Sequence, residues 1–315
     1  MQTLHIGVDV AKDTVVVACE EAAFPVQTLP NQRGALRGWL KTLPPGSRLG
    51  LEATGRYHGL LADLAHAQGL TVFVLNPKDT HCYAQGLGRR AKTDRVDAEM
   101  LARYVAREHA ELHAYIPPTP TQRQLDRLLL RRSKLVVLRG ALRATGTDLP
   151  VGRVELRATL QRLDQLIAAL DAHREHLIAQ CPDRAQALSR LQTIVGVGPL
   201  VGAGLMQALL RIPFKNADAF VAFTGLDPRP RDSGKRIGRR RLSKRGPGEL
   251  RRLLFTAAMS GAKTNTWKPY YERYRARGLS TTAALVIIAR KIARAAWSMI
   301  HHNTVFSLDR LATQS

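Results

Sequence analysis

The chain has 315 residues, is 45% hydrophobic, and sets 48 Lys and Arg against 25 Asp and Glu for a formal charge of +23. That is long and apolar enough for two or three domains with cores of their own, and too basic for solubility alone, so a polyanionic partner bound with steep salt dependence is expected. Cys19, Cys82 and Cys181 stand apart with no Cys-x-x-Cys pair, which excludes a disulfide framework or a thiolate zinc site and fits a reducing cytoplasm. No basic, apolar leader pattern opens the sequence, and the apolar stretch 283–300 is broken by Arg290, Lys291 and Arg294. It reads as a packed amphipathic helix, and no membrane partner is expected.

Residues 1–115 alternate strand and helix signals, the pattern of an α/β layer. The β-branched run 4–10 carries Asp9 at its end, just before Val10, and the run 14–19 follows closely enough to be its hairpin partner. Helical periodicity marks 35–43 and 60–68. A short strand over 48–51 precedes Glu52, and a buried strand over 71–75 is closed by Asn76 and Pro77. Thr93 is placed to cap a helix whose first turn carries Asp94 and Asp97, three residues apart and so on one face.

Acids at strand ends and in first helical turns are common for structural reasons alone, because they cap turns and suit the helix dipole. Their order here adds meaning. A strand acid, a second strand acid and a helical acid pair form the layout of an RNase H-like nuclease fold. Like charges gathered at one point resist ionisation, and the usual remedy is a hard divalent cation held through oxygen. In so basic a chain, Asp9, Glu52, Asp94 and Asp97 suggest metal-assisted chemistry on a phosphodiester.

Pro117, Pro118 and Pro120 mark a boundary, after which residues 116–185 are rich in Leu, Arg, Gln and Ala. Leu128, Leu135 and Leu142 recur at heptad spacing. After a break containing Gly146, Pro150 and Gly152, so do Leu156, Leu163, Leu170 and Leu177. Two long helices in an antiparallel, coiled-coil-like hairpin are expected, the seam serving intramolecular pairing and leaving a role in dimerisation open. His173 and His176 share a helix face but lack further ligands and are read as surface residues. Gly86 and Gly88 are too short a match for a nucleotide loop.

The region 186–315 is helical. Gly196 and Gly198 between two short helices fit a helix-hairpin-helix element whose backbone N–H groups meet a phosphate; the alternative is a tight turn needing glycine for positive φ. Between Arg229 and Arg252 there are eleven Lys or Arg against Asp232 and Glu249. Arg229, Arg231, Lys235, Arg236, Arg239, Arg240, Arg241, Lys244 and Arg245 form a basic surface expected to face nucleic acid. Ser233 within it is a possible nucleophile, rivalled by Ser243, since no histidine base lies near and a serine hydroxyl needs activation. Trp267, Tyr270, Tyr271 and Tyr274 are read as core, with base stacking as the other option.

Taken together, the segments Gly7–Lys12, Leu51–Gly55, Asn76 with Pro77, and Lys92–Ala98 resemble the DEDD transposases of bacterial insertion sequences. Ile194–Pro199, Phe223–Pro228, Asp232–Gly234 and Lys244–Gly246 continue the match over nearly the full length. That group includes bridge-RNA-guided recombinases and is related to the Piv-type pilin-gene invertases. Val195 stands where its hairpin is expected to carry proline. The resemblance implies a RuvC-type domain over 1–115, a coiled-coil hairpin over 116–185 and a transposase domain over 186–315. It implies that Asp9, Glu52, Asp94 and Asp97 hold Mg²⁺ or Mn²⁺ and that Ser233 forms a transient phosphoserine bond without ATP. Donor and target duplex DNA, an element-encoded structured RNA and a homodimer or homotetramer are the partners it implies. A hydrolytic nuclease or Holliday-junction resolvase, with Ser233 as a mere phosphate contact, is the alternative reading; a non-enzymatic DNA- or RNA-binding protein is a third.

Overall fold

The computed structural model describes residues 3–53, 55, 57–88, 93–148, 150–229, 238 and 240–307. The chain divides into two compact units, Met1–Pro117 and Pro118–Ser315. It is a mixed α/β protein.

The first unit is built on a five-stranded mixed sheet of β1 (His5–Val10), β2 (Thr14–Cys19), β3 (Gln27–Pro30), β4 (Arg48–Glu52) and β5 (Thr71–Leu75), in the order β3-β2-β1-β4-β5. β1 pairs antiparallel with β2, and β2 with β3; β1–β4 and β4–β5 are parallel. This arrangement is consistent with an RNase H-like fold. Alternation of side chains assigns the faces. Ile6, Val8, Val10, Leu49 and Leu51 are buried beneath α1 (Arg33–Leu40) and α2 (His58–Ala67), against Leu36, Leu40, Leu61, Ala62 and Ala65. The opposite face receives α4 (Asp94–Glu108), whose Ala98 packs on Val16 and Ala18, and whose Met100, Leu101 and Val105 pack on Phe73 and Leu75. α3 (Pro77–Gly86) adds Tyr83 and Ala84 to that cluster.

The second unit begins with α5 (Pro120–Thr145) and α6 (Arg153–Ala179). Thr119 and Gln122 form a reciprocal capping box at the start of α5, with Pro120 in the first turn. The two helices run antiparallel, since Gln124 meets His173, Arg132 meets Asp171, and Arg139 meets Asp164. Arg132 donates through Nε to both Asp171 oxygens at 2.7 and 2.8 Å. Burial is concentrated at the end of the pair nearest the core, where Leu125, Leu129, Leu177 and Ile178 are buried; Ile167 is buried midway along α6, whereas Val137 is 67% and Val154 76% exposed. His173 and His176 are exposed.

The rest is α7 (Pro182–Gln192), α8 (Pro199–Arg211), α9 (Ala217–Thr224), the short ribbon β6 (Pro228–Arg229) with β7 (Arg241–Leu242), α10 (Gly248–Gly261), α11 (Lys268–Ala276) and α12 (Thr281–His301). α12 is the central element, with Ile288, Ala289, Ile292, Ala293 and Ala296 fully buried. Among the described residues no helix is long and apolar enough to cross a membrane. Trp267 is fully buried and donates Nε1–H to the Val195 carbonyl at 2.8 Å, tying the α7–α8 turn to α11. Tyr270 and Tyr271 are half-buried and pack against this core, and Tyr274 is half-buried.

Candidate active site

The position of the acids follows from one close approach. Gly7 and Asp9 lie on the same face of β1, the face covered by α4. A Cβ at Gly7 would stand 2.0 Å from the Ala98 carbonyl oxygen and 2.1 Å from the Ala102 nitrogen, so only glycine lets the helix backbone rest on the strand. Its strand neighbour Gly50 meets the Val105 side chain in the same way. Val8 pairs with Leu51, which makes Asp9 and Glu52 the next residues on two adjacent parallel strands. The first turn of α4, one turn before Ala98, brings Asp94 and Asp97 over the same strand ends. Thr93 caps that turn, its Oγ1 accepting from the Val96 N–H at 3.3 Å.

Asp9 registers the result. Its carboxyl is pushed up to about 6, first by burial and then by the charges of Asp94, Asp97 and Glu52 in that order, against a smaller opposing effect of the Val10 N–H. Glu52, Asp94 and Asp97 are therefore each within electrostatic reach of Asp9. Among the described residues no three His, Cys, Asp or Glu side chains are gathered at ligand distance for one ion. These two facts agree: Coulombic coupling extends well beyond the 2.0–2.6 Å of a metal–oxygen bond.

Glu52 has a partner that sequence reasoning did not anticipate. Asn76 caps α3, accepting from the Lys78 N–H at 3.0 Å, and Pro77 occupies the first helical position. The helix so started carries Thr80, which is buried and donates its hydroxyl to Glu52 Oε2 at 2.8 Å. The signal lay in Asn76 and Pro77, which open a helix as well as close a strand.

In the second unit, Gly196 has φ +96°, and a Cβ there would stand 2.5 Å from the Ala257 carbonyl oxygen. The turn and its packing on α10 thus account for that glycine, while Gly198 is the N-cap of α8. Arg229, Arg240, Arg241, Lys244 and Arg245 are exposed on or beside the β6–β7 ribbon. Arg231, Lys235, Arg236, Arg239 and Ser233 lie outside the described residues. Ser243 is engaged structurally: its hydroxyl donates to Asp227 Oδ1, and it accepts from the Arg245 N–H at 3.4 Å.

With this geometry in view, the comparisons are specific. Residues 6–145 match a family model described as a transposase, of the DEDD type of IS110 elements, and residues 188–272 match the transposase IS116/IS110/IS902 family. The pilin gene-inverting protein of Moraxella bovis is 29% identical over 97% of this chain and 98% of its own length. The transposase for insertion sequence element IS1328 of Yersinia enterocolitica is 25% identical over 96% of this chain and 98% of its own. A 44.8 kDa protein of insertion element IS116 from Streptomyces clavuligerus is 29% identical over 58% of this chain and 44% of its own.

Proposed function

The chain belongs to the IS116/IS110/IS902 family of transposases of bacterial insertion sequences, and from that premise we propose that it recombines DNA through a carboxylate-held metal ion and a covalent phosphoserine intermediate. The observation that carries the reading is the Asp9 carboxyl, crowded by Glu52, Asp94 and Asp97 at one end of the sheet. A half-buried acid raised by desolvation and by three neighbouring acids is a donor set short of a cation, and four carboxylates are the hard oxygen ligands that Mg²⁺ or Mn²⁺ takes. Bound there, the ion would supply Lewis-acid stabilisation of a phosphoryl oxygen and lower the pKa of a coordinated hydroxyl.

The remaining chemistry belongs to the chain. Thr80 donates to one Glu52 oxygen and so fixes the orientation of that carboxylate. The Gly7 contact holds the Asp94 and Asp97 turn against Asp9. The Ser233 oxygen would form a bond to phosphorus as the P–O bond to one sugar breaks, the departing sugar oxygen taking up a proton. Attack by a sugar hydroxyl of another strand would reverse the step and release the serine. One phosphoester replaces another at each stage, so no ATP is consumed. The basic segment, with Arg229, Arg231, Lys235, Arg236, Arg239, Arg240, Arg241, Lys244 and Arg245, would neutralise backbone phosphates, and the Gly196–Gly198 turn would offer backbone N–H groups to another.

The family resemblance supports two further parts of the proposal. A structured RNA encoded by the element would select donor and target by base pairing while the protein holds backbone and shape. Recombination handles four strands, so a homodimer or homotetramer would act, with apolar residues on the exposed end of the α5–α6 hairpin available as a coiled-coil seam.

The test is adduct trapping. Full-length protein with Mg²⁺ and a nicked duplex of the element end should give a DNA–protein adduct that survives denaturing electrophoresis. Ser233→Ala should abolish the adduct and strand cleavage together; Asp9→Ala, Glu52→Ala and Asp97→Ala should abolish recombination while RNA binding persists. Continued cleavage by Ser233→Ala without an adduct would replace the proposal with a hydrolytic nuclease or junction resolvase.

A further inference from the structure

α12 carries Arg290, Lys291 and Arg294 in an otherwise apolar stretch. Arg294 donates to Asp218 Oδ1 on α9. Arg290 is different. Its Nε is buried and has no hydrogen-bond partner among the described residues. The acids within its electrostatic reach are Asp218 and Asp227. Asp218 is engaged by Arg294, and Asp227 accepts from the Ser243 hydroxyl. Arg290 therefore sits half-buried, next to a second guanidinium, with no direct ion pair among the described residues. Burial, and after it the Arg294 charge, press its affinity for a proton below the ordinary arginine value. An arginine does not yield its proton near neutral pH, so the arrangement is relieved by an anion.

The surroundings match such an anion. Asp227 lies one residue before β6, which places Arg290 near the base of the β6–β7 ribbon. Beyond it, Arg273 lies over the rings of Tyr270 and Tyr274 at 5.3 and 5.4 Å, and Lys291 lies over Tyr270 at 5.4 Å. Tyrosine faces thus hold two cations in fixed places, lowering the entropy lost when a polyanion settles across them.

We propose that Arg290, with Arg294 beside it, binds a backbone phosphate of duplex DNA, making the α11–α12 face a second nucleic-acid contact beside the ribbon. The guanidinium fork matches two phosphate oxygens, which a lysine cannot do as well. The inference rests on the reading of the chain as a DNA recombinase and adds a contact outside the basic segment 229–245.

The experiment is a salt titration of the full chain with a fluorescein-labelled 40-base-pair duplex, read by anisotropy from 50 to 200 mM KCl without divalent ions. Arg290→Gln should lower the slope of log affinity against log salt by about 0.9, the value of one phosphate contact. Affinity at 50 mM KCl should fall about tenfold, the weight of one charge-assisted contact. Arg290→Lys should keep the wild-type slope and lose affinity by a few-fold through loss of the fork. An unchanged slope in Arg290→Gln, or wild-type affinity in Arg290→Lys, overturns the inference. The second criterion decides the matter if the glutamine variant fails to fold. A parallel titration with a labelled RNA hairpin separates the sources: a loss confined to RNA overturns the assignment to DNA. Asp9→Asn is the control for the underlying reading. If it binds duplex normally and fails only in cleavage while Arg290→Gln binds as wild type, the recombinase reading stands and this inference alone falls.

Discussion

Replacing Asp9 by asparagine should make the protein more stable and inactive at once. Asparagine keeps the shape and the oxygen that accepts from the Val10 N–H, but removes the charge that Asp94, Asp97 and Glu52 oppose. A carboxyl raised to about 6 from its ordinary value of 3.8 corresponds to about 3 kcal/mol. Asp9 is partly exposed, so solvent screening reduces the expected gain to about 1–2 kcal/mol. The sign follows from proton counting. Between roughly pH 4 and 6 the folded protein keeps a proton that the unfolded chain has lost, so wild-type stability falls as pH rises through that window. The Asp9→Asn gain should be absent near pH 3.5 and complete above about pH 7. Calorimetry in EDTA should show the transition of the first unit raised by about 4–8 °C at pH 7.5. Millimolar Mg²⁺ should raise the wild-type midpoint and leave the variant almost unmoved, closing the gap. A variant that melts lower than wild type at pH 7.5 in EDTA, or a difference constant from pH 4 to 8, would refute the crowding argument.

Gly7→Ala should cost about 3 kcal/mol or more in urea unfolding, since the added methyl meets helix backbone that cannot swing aside; wild-type stability would show that α4 does not lie on the strand. Thr80→Val should cost about 1–2 kcal/mol and weaken Mg²⁺ binding in a thermal-shift titration, because the part-buried Glu52 carboxylate loses the Thr80 hydroxyl as a donor. In the second unit, burial opposes ionisation of Glu249, yet hydrogen bonds from Arg252 and Ser133 outweigh it and hold the carboxyl below its ordinary value. That contribution is complete above about pH 4.5 and is lost as pH falls through the lower folded value. Glu249→Gln should therefore flatten the acid limb of stability against pH, and Ser133→Ala should cost about 1 kcal/mol by chemical denaturation.

What the sequence made legible was local. β1, β2, β4 and β5 announce themselves as β-branched runs, and the Thr93 cap needs only its neighbours to be recognised. β3 escaped because Gln27–Pro30 is short, half-exposed and ends in proline on a sheet edge, where pairing rather than pattern makes the strand. The helix at 35–43 was displaced by about two residues relative to Arg33–Leu40, as end-fraying allows. The boundaries of α9, α10 and α11 were not readable either, because small and basic residues blur their periodicity. In the basic segment, composition identified the surface but not the latch between Ser243 and Asp227, which joins residues sixteen apart.

The acids themselves could be picked out because each lies in the last two residues of a strand or the first turn of a helix, and such ends are marked in sequence by a change of pattern. Their crowding could not. It depends on Gly7 admitting the α4 backbone and on Gly50 admitting the Val105 side chain, and glycine in a strand usually signals only weakness. Here the missing side chains are what bring like charges together. A bulkier strand would pack as well against a more distant helix, relax Asp9 toward an ordinary carboxyl, and lose the donor set. The close approach is thus a stability cost concentrated at the end of the sheet where the proposed chemistry takes place, and binding of a divalent cation there would offset it.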